Sequence, residues 1–132
     1  MPSSLKTILL IDDERDIRLI ARMALEKVGG FSIVSCSSGA EALERAAEAG
    51  ADLVLLDVMM PEMDGPETLE GLRRIPQLAN VPVVFMTAKV QNHEVAEYLA
   101  MGAAGVVAKP FAPMELPARV REIYEAALSE RG

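Results

Sequence analysis

Leu53-Val54-Leu55-Leu56-Asp57-Val58-Met59-Met60-Pro61-Glu62-Met63-Asp64-Gly65-Pro66-Glu67 is the stretch from which the rest of the chain is best read. Its four successive apolar residues do not alternate with polar ones, so they describe a strand buried on both faces. That strand stops on an acid, Asp57, and an irregular stretch from Val58 to Gly65 follows. Pro66 then sits where a first helical turn favours proline, and Glu67 adds charge suited to a helix N-terminus. The helix ends before Pro76. A short apolar strand followed by a longer amphipathic helix makes one unit, and that alternation repeats along the chain.

Upstream, Lys6 to Ile11 reads as a strand, and Glu14 to Val28 as a helix with apolar residues at Ile17, Ile20, Ala21, Ala24, Leu25 and Val28. Gly29 and Gly30 end it. Phe31 to Cys36 is the second strand, and Ser38 with Glu41 forms a capping box for a helix that runs to Ala49 and stops at Gly50. Downstream, Val81 to Thr87 and Ala104 to Ala108 are strands, and Gln91 to Met101 is a short helix. Pro113 to Leu128 is the last helix, and Pro117, one turn inside it, predicts a slipped start or a kink. This fivefold alternation predicts an α/β fold, a three-layer α/β/α arrangement around a parallel sheet. A single domain over 1–132 is expected, with a core of about 6–128.

The chain has 132 residues, and at that length roughly 6,800 Å² of surface should remain after folding. Hydrophobic residues make up 51% and aromatic ones only 4%, so the core is expected to be aliphatic and base-stacking platforms are disfavoured. The net charge of −7 repels phosphate backbones and anionic lipid, so neither nucleic acid nor membrane is an expected partner. One cysteine, Cys36, and one histidine, His93, cannot build a structural zinc site. The N-terminus lacks a signal-peptide pattern and no apolar run could span a bilayer, which predicts a cytoplasmic setting.

In open α/β sheets the ligand crevice lies beyond the carboxyl ends of the strands. The first strand ends in Asp12-Asp13-Glu14, the third in Asp57, the fourth in Thr87 and the fifth in Lys109-Pro110. If the central strands are neighbours, the carboxylates of Asp12, Asp13 and Asp57 converge and repel one another until a cation enters. Oxygen ligands select a hard ion, and Mg²⁺ fits best. Thr87 and Lys109 then offer a hydroxyl donor and a point charge for a transferred phosphoryl group. Each residue also has a plainer use: Asp13 as a helix cap, Asp57 as a turn residue, Thr87 as strand filler, Lys109 as a solvated charge. It is their shared edge that favours a site.

Together, Asp12-Asp13, Asp57-Val-Met-Met-Pro61-Glu-Met-Asp64-Gly65, Thr87-Ala88 and Lys109-Pro110-Phe111 resemble the receiver domain of bacterial two-component response regulators, the CheY-like fold, from Thr7 to about Leu128. The resemblance implies a flavodoxin-like sheet of order 2-1-3-4-5. It also implies that Asp57 accepts a phosphoryl group from a phosphohistidine of a sensor histidine kinase or histidine phosphotransfer protein. Asp13 and Asp57 would ligate Mg²⁺ directly, Met59 through its backbone carbonyl, and Asp12 mainly through metal-bound water. Thr87 would hydrogen-bond the phosphoryl oxygen, and Lys109 would ion-pair with it, held by a cis peptide before Pro110. Gly65 and Pro61 would shape the loop, and small Ala88 would leave the phosphoryl group accessible.

Two departures from the family's pattern carry expectations. The strand-five position often taken by Tyr or Phe is Val106, which predicts readout through the Thr87 loop and the fourth helix with little help from a side-chain switch. Met59 and Lys89, two residues after Asp57 and Thr87, predict slow loss of the phosphoryl group. Arg15, Arg18 and Arg22 read as a solvated helix face, His93 as exposed, Cys36 as a buried small hydrophobe, and the methionines as core and loop filler.

Other functions are disfavoured. A Mg²⁺-dependent aspartyl phosphohydrolase needs a second carboxylate two residues on, where Met59 stands. A flavin or nucleotide binder needs glycine-rich phosphate loops, which are missing, and no Gly-x-Ser-x-Gly elbow supports a serine hydrolase. The reading is therefore a signalling phosphoacceptor and not a turnover enzyme, acting on an unknown downstream protein, as a monomer or a phosphorylation-dependent dimer. The chain is expected to work alone or to be the receiver piece of a hybrid kinase or larger regulator.

Overall fold

A computed structural model describes residues 5–131. The elements are β1 (Thr7–Ile11), α1 (Arg15–Lys27), β2 (Ser32–Cys36), α2 (Gly39–Ala49), β3 (Leu53–Asp57), α3 (Gly65–Arg73), β4 (Val83–Thr87), α4 (Asn92–Ala100), β5 (Gly105–Ala108) and α5 (Leu116–Arg131). All strand pairs are parallel, and the sheet order is β2-β1-β3-β4-β5. The chain steps from β1 outward to β2 and then back across to β3. That reversal opens a crevice at the carboxyl ends of β1 and β3.

Because successive strand residues face opposite ways, the sheet divides its apolar side chains between two cores. Leu9, Ile11, Val54, Leu56 and Phe85 pack against α2, α3 and α4. Ile8, Leu10, Leu55, Val84 and Met86 pack against α1 and α5. β3 and β4 are buried along their whole length, and each such Leu or Val stabilises the fold by about 1.5–3 kcal/mol. This makes their ends rigid mounts for Asp57 and Thr87. The accessible surface is 7146 Å², close to the size expected for the chain. No helix among the described residues is long and apolar enough to cross a membrane.

Local chemistry sets the boundaries. Ser38 accepts from Glu41 N–H and caps α2, while Glu41 reaches back to Ser37. Asp64 and Glu67 form a capping box on α3, so that helix begins at Gly65, one residue before Pro66. A short 3-10 turn at Pro76–Leu78, absent from the sequence reading, separates α3 from β4, and β4 begins at Val83 and not at Val81. The slip signalled by Pro117 is real: α5 starts at Leu116, so the proline occupies the first turn, where its missing N–H has no partner to lose. Asp13 does not cap α1; the cap position is Glu14, with no side-chain cap bond.

Candidate functional site

Asp12 follows β1 directly and is fully buried. Its Oδ1 accepts from Glu14 N–H at 2.8 Å, which turns the chain into α1, and its backbone N–H donates to Cys36 O at 3.2 Å. Asp57 is the last residue of β3, 2% exposed. Its neighbour Val58 donates N–H to Met86 O at 3.1 Å and accepts from Gly65 N–H at 2.8 Å, closing the loop after the acid. A Cβ on Gly65 would lie 2.7 Å from Asp57 O and 2.8 Å from Val58 Cα. Only glycine lets α3 begin that close to the acid.

One oxygen each from Asp12, Asp13 and Asp57 lies within 4.8 Å of the others. Lys109, carried past β5, brings its Nζ to 3.0 Å from Asp12 Oδ2 and 3.2 Å from Asp57 Oδ1, with its side chain only 13% exposed. The Lys109–Pro110 peptide is cis. Asp13 Oδ1 and Asp57 Oδ2 are buried and accept no hydrogen bond. Asp12 Oδ2 has Lys109 as its ion partner without an aligned hydrogen bond. One ammonium thus faces three carboxylates, and a buried acceptor without a donor costs about 1–3 kcal/mol. A divalent cation would supply both the charge and the coordination these oxygens lack, so the donor set fits a hard metal.

Burial pushes the Asp57 carboxyl up, Asp12's charge pushes it further, and Lys109 draws it partly back; it titrates at about 6 in place of 3.8. Burial works to lower Lys109, but hydrogen bonding and charge from Asp12, with Asp57 behind them, hold the ammonium above its ordinary value. The lysine therefore stays charged through the physiological range. Thr87 ends β4, 2% exposed, and its Oγ1 accepts from Lys89 N–H at 3.1 Å. The backbone of Lys109 donates to Thr87 O at 3.0 Å, which locks the two strand ends together. Met59 lies two residues beyond Asp57 with its side chain 62% exposed.

Asp12, Asp13, Asp57 and Lys109 are thus gathered as the strand ends suggested, with Thr87 on the adjoining strand. Three contributors lay outside the sequence reading. Glu14 Oε1 stands 3.6 Å from Lys109 Nζ. Arg18, read as part of a solvated face, donates to Asp12 O at 2.7 Å. A helical side chain leans toward the N-terminus, so an arginine in the first turn after an acidic strand end was the available signal. Tyr98 of α4 donates its hydroxyl to Lys89 O at 3.2 Å, a bond with no sequence signature. Cys36 is buried, with its thiol pushed up by desolvation, and His93 is exposed, both as expected.

Comparison with known proteins agrees with this geometry. Residues 8–121 match the response regulator receiver domain family. The alkaline phosphatase synthesis transcriptional regulatory protein PhoP of Bacillus subtilis is 38% identical over 118 residues, covering 89% of this chain and 48% of PhoP. Response regulator SaeR of Staphylococcus aureus is 34% identical, covering 88% of this chain and 49% of SaeR. The chain therefore spans about half the length of these curated relatives. The chemotaxis response regulator CheY4 of Vibrio cholerae superposes with a TM-score of 0.83 at 29% identity, covering 91% of this chain and 99% of CheY4. With a matching family profile over most of its length, a matching sheet order and a carboxylate cluster at the switch point, the chain belongs to the response regulator receiver domain family.

Proposed function

We propose that the chain is a phosphoacceptor of two-component signalling, taking a phosphoryl group onto Asp57 from a phosphohistidine of a sensor kinase or histidine phosphotransfer protein. The observation that carries this reading is the largely covered ammonium of Lys109, shared by Asp12 and Asp57 beside carboxylate oxygens that no donor among the described residues satisfies. In the transfer an Asp57 oxygen bonds to phosphorus as the phosphorus–nitrogen bond of the donor breaks, and the imidazole leaves with the bonding pair. Asp57 attacks in its ionised form, which the positive charge of Lys109 favours. Asp12, Asp13, Asp57 and the Met59 carbonyl are assigned to Mg²⁺, which when bound neutralises charge on the transferred group. Thr87 and Lys109 are assigned to the phosphoryl oxygens, as hydrogen-bond donor and counter-charge.

Incubation with Mg²⁺ and acetyl phosphate should give one phosphoryl adduct by intact mass, labile to hydroxylamine and absent from Asp57→Ala. Wild type without an adduct, or Asp57→Ala with one, overturns the assignment. Turnover of a free phosphomonoester would instead point to a phosphohydrolase.

Output is assigned to protein contacts made by the Thr87 loop, α4 and β5, in the cytoplasm, by a free-standing receiver over 1–132 that is a monomer or a phosphorylation-dependent dimer. The −7 charge supports an output without nucleic acid or membrane. The half-length overlap with PhoP and SaeR favours a second reading, the receiver of a longer regulator. The size of the product in an immunoblot of the source cells separates the two.

A further inference from the structure

The loop leaving β4 carries Ala88, Lys89 and Val90, all exposed, into α4. Its central peptide is nonetheless gripped from both sides. Lys89 N–H donates to Thr87 Oγ1 at 3.1 Å, and Lys89 O accepts the Tyr98 hydroxyl at 3.2 Å. Tyr98 is no surface ring. It is 7% exposed and packs edge-on against Phe85, with centroids 5.5 Å apart and planes at 78°. Phe85 is fully buried in β4, two residues before Thr87. Through its ring Tyr98 is fixed to the rigid strand, and through its hydroxyl it holds the loop that strand releases.

We propose that Tyr98 is a positioning residue for the Thr87 loop, and that phosphorylation of Asp57 breaks the Tyr98–Lys89 hydrogen bond. The inference rests on the receiver reading above, in which Thr87 turns to the phosphoryl group. A shift of the Thr87 hydroxyl draws Lys89 with it through the first bond. Tyr98, anchored on Phe85, does not follow, and its bond at 3.2 Å is already longer than the usual O–H···O range. A bond present in one state only biases the equilibrium toward that state, so deleting it favours the other. Val106, which lines the groove between α4 and α5, has no polar side-chain atom to offer the loop. The coupling therefore runs from the loop into α4 through Tyr98.

The chain has no tryptophan and two tyrosines, Tyr98 and Tyr124. In Tyr124→Phe all tyrosine emission comes from Tyr98. Titration of this variant with beryllofluoride in the presence of Mg²⁺, as a phosphoryl mimic, should give a saturable change in emission, and the change should vanish when Thr87→Ala is added, at beryllofluoride concentrations where calorimetry shows the Thr87→Ala protein to be loaded. Tyr98→Phe, which keeps the ring, should bind beryllofluoride about two- to tenfold tighter than wild type, the effect of one ordinary hydrogen bond. Binding by calorimetry with unchanged Tyr98 emission, or a change that survives Thr87→Ala, overturns the coupling and leaves the receiver reading standing. An unaltered affinity in a folded Tyr98→Phe does the same. Absence of any beryllofluoride binding to wild type overturns both. If Tyr98→Phe does not fold, the emission arm decides.

Discussion

Asp52 and Asp57 stand at opposite ends of β3, and the fold treats them in opposite ways. Asp52 Oδ2 accepts two backbone N–H groups, from Lys6 and Thr7, each at 3.0 Å, and its own N–H donates to Thr7 O at 2.8 Å. It ties the start of β3 to the start of β1. Asp57 is more deeply buried, yet among the described residues its one ion partner, Lys109, is shared with Asp12, and its Oδ2 is left without a donor. A carboxylate that serves the fold is surrounded by donors, whereas the one proposed to take the phosphoryl group is left short of them, at a local cost in stability. The contrast lies in the surroundings, since the two side chains are the same.

The most severe way to break this contrast is to remove the one charge that Asp57 does have. Lys109→Met leaves Asp12, Asp13 and Asp57 facing one another without a counter-ion. Removing one partner of a buried ion pair typically costs about 3–5 kcal/mol. Urea unfolding of the metal-free protein at pH 7 should register a loss of that order, and Mg²⁺ should recover part of it. A loss below about 1 kcal/mol would mean that Lys109 does not neutralise the cluster.

Next in size is the pH dependence that separates the two acids. Asp57 titrates at about 6 in the fold and near 3.8 when free of it. Between those values the native state binds a proton that the unfolded chain has released, so stability falls as pH rises from about 4 through about 6 and then levels. The loss is on the order of 3 kcal/mol. Asp57→Asn should flatten this window and make the metal-free protein more stable than wild type at pH 7. Saturating Mg²⁺ should also flatten it for wild type. A wild-type profile that rises across the window would show that Asp57 is satisfied after all.

Asp52→Ala tests the other side of the comparison. It strips the acceptor from two backbone N–H groups, of which Lys6 is exposed and can turn to water. A loss of about 1–2 kcal/mol is expected by chemical unfolding, with Mg²⁺ affinity unchanged. Weakened Mg²⁺ binding in this variant would contradict the division of labour between the strand's two ends.

The same contrast explains what could be read from the residues alone. Buried runs such as Leu53 to Leu56 announce strands because burial on both faces leaves an uninterrupted apolar signature, and the acids at their ends stand out against it. The order of the strands is not written in any one run, but once they are parallel neighbours the ends must converge. What stayed hidden depends on side-chain direction across the fold. Arg18 reaches Asp12 O because α1 starts at Arg15 and aims that turn back at the strand end, and Tyr98 meets Lys89 O only after α4 packs on Phe85. Helix ends were also softer, because Pro117 is compatible with several starts of α5 until Leu116 is seen closing the turn onto Ala112 and Pro113.

The smallest expected effect concerns the lifetime of the phosphoryl group at the ligand-facing end of β3. Met59 follows Asp57 by two residues, and its side chain is exposed and apolar, with no group that could orient or polarise a water for attack on an acyl phosphate. An amide at that place can hydrogen-bond water, and one such bond gained in the transition state corresponds to about two- to tenfold in rate. Met59→Asn should therefore lose the phosphoryl group about two- to tenfold faster, followed by intact mass after the phosphodonor is removed. Asp52→Ala, at the far end of the strand, should decay as wild type does. Unchanged or slower loss in Met59→Asn would show that hydrolysis is limited elsewhere, by the groups that hold the phosphoryl oxygens and not by the missing water partner.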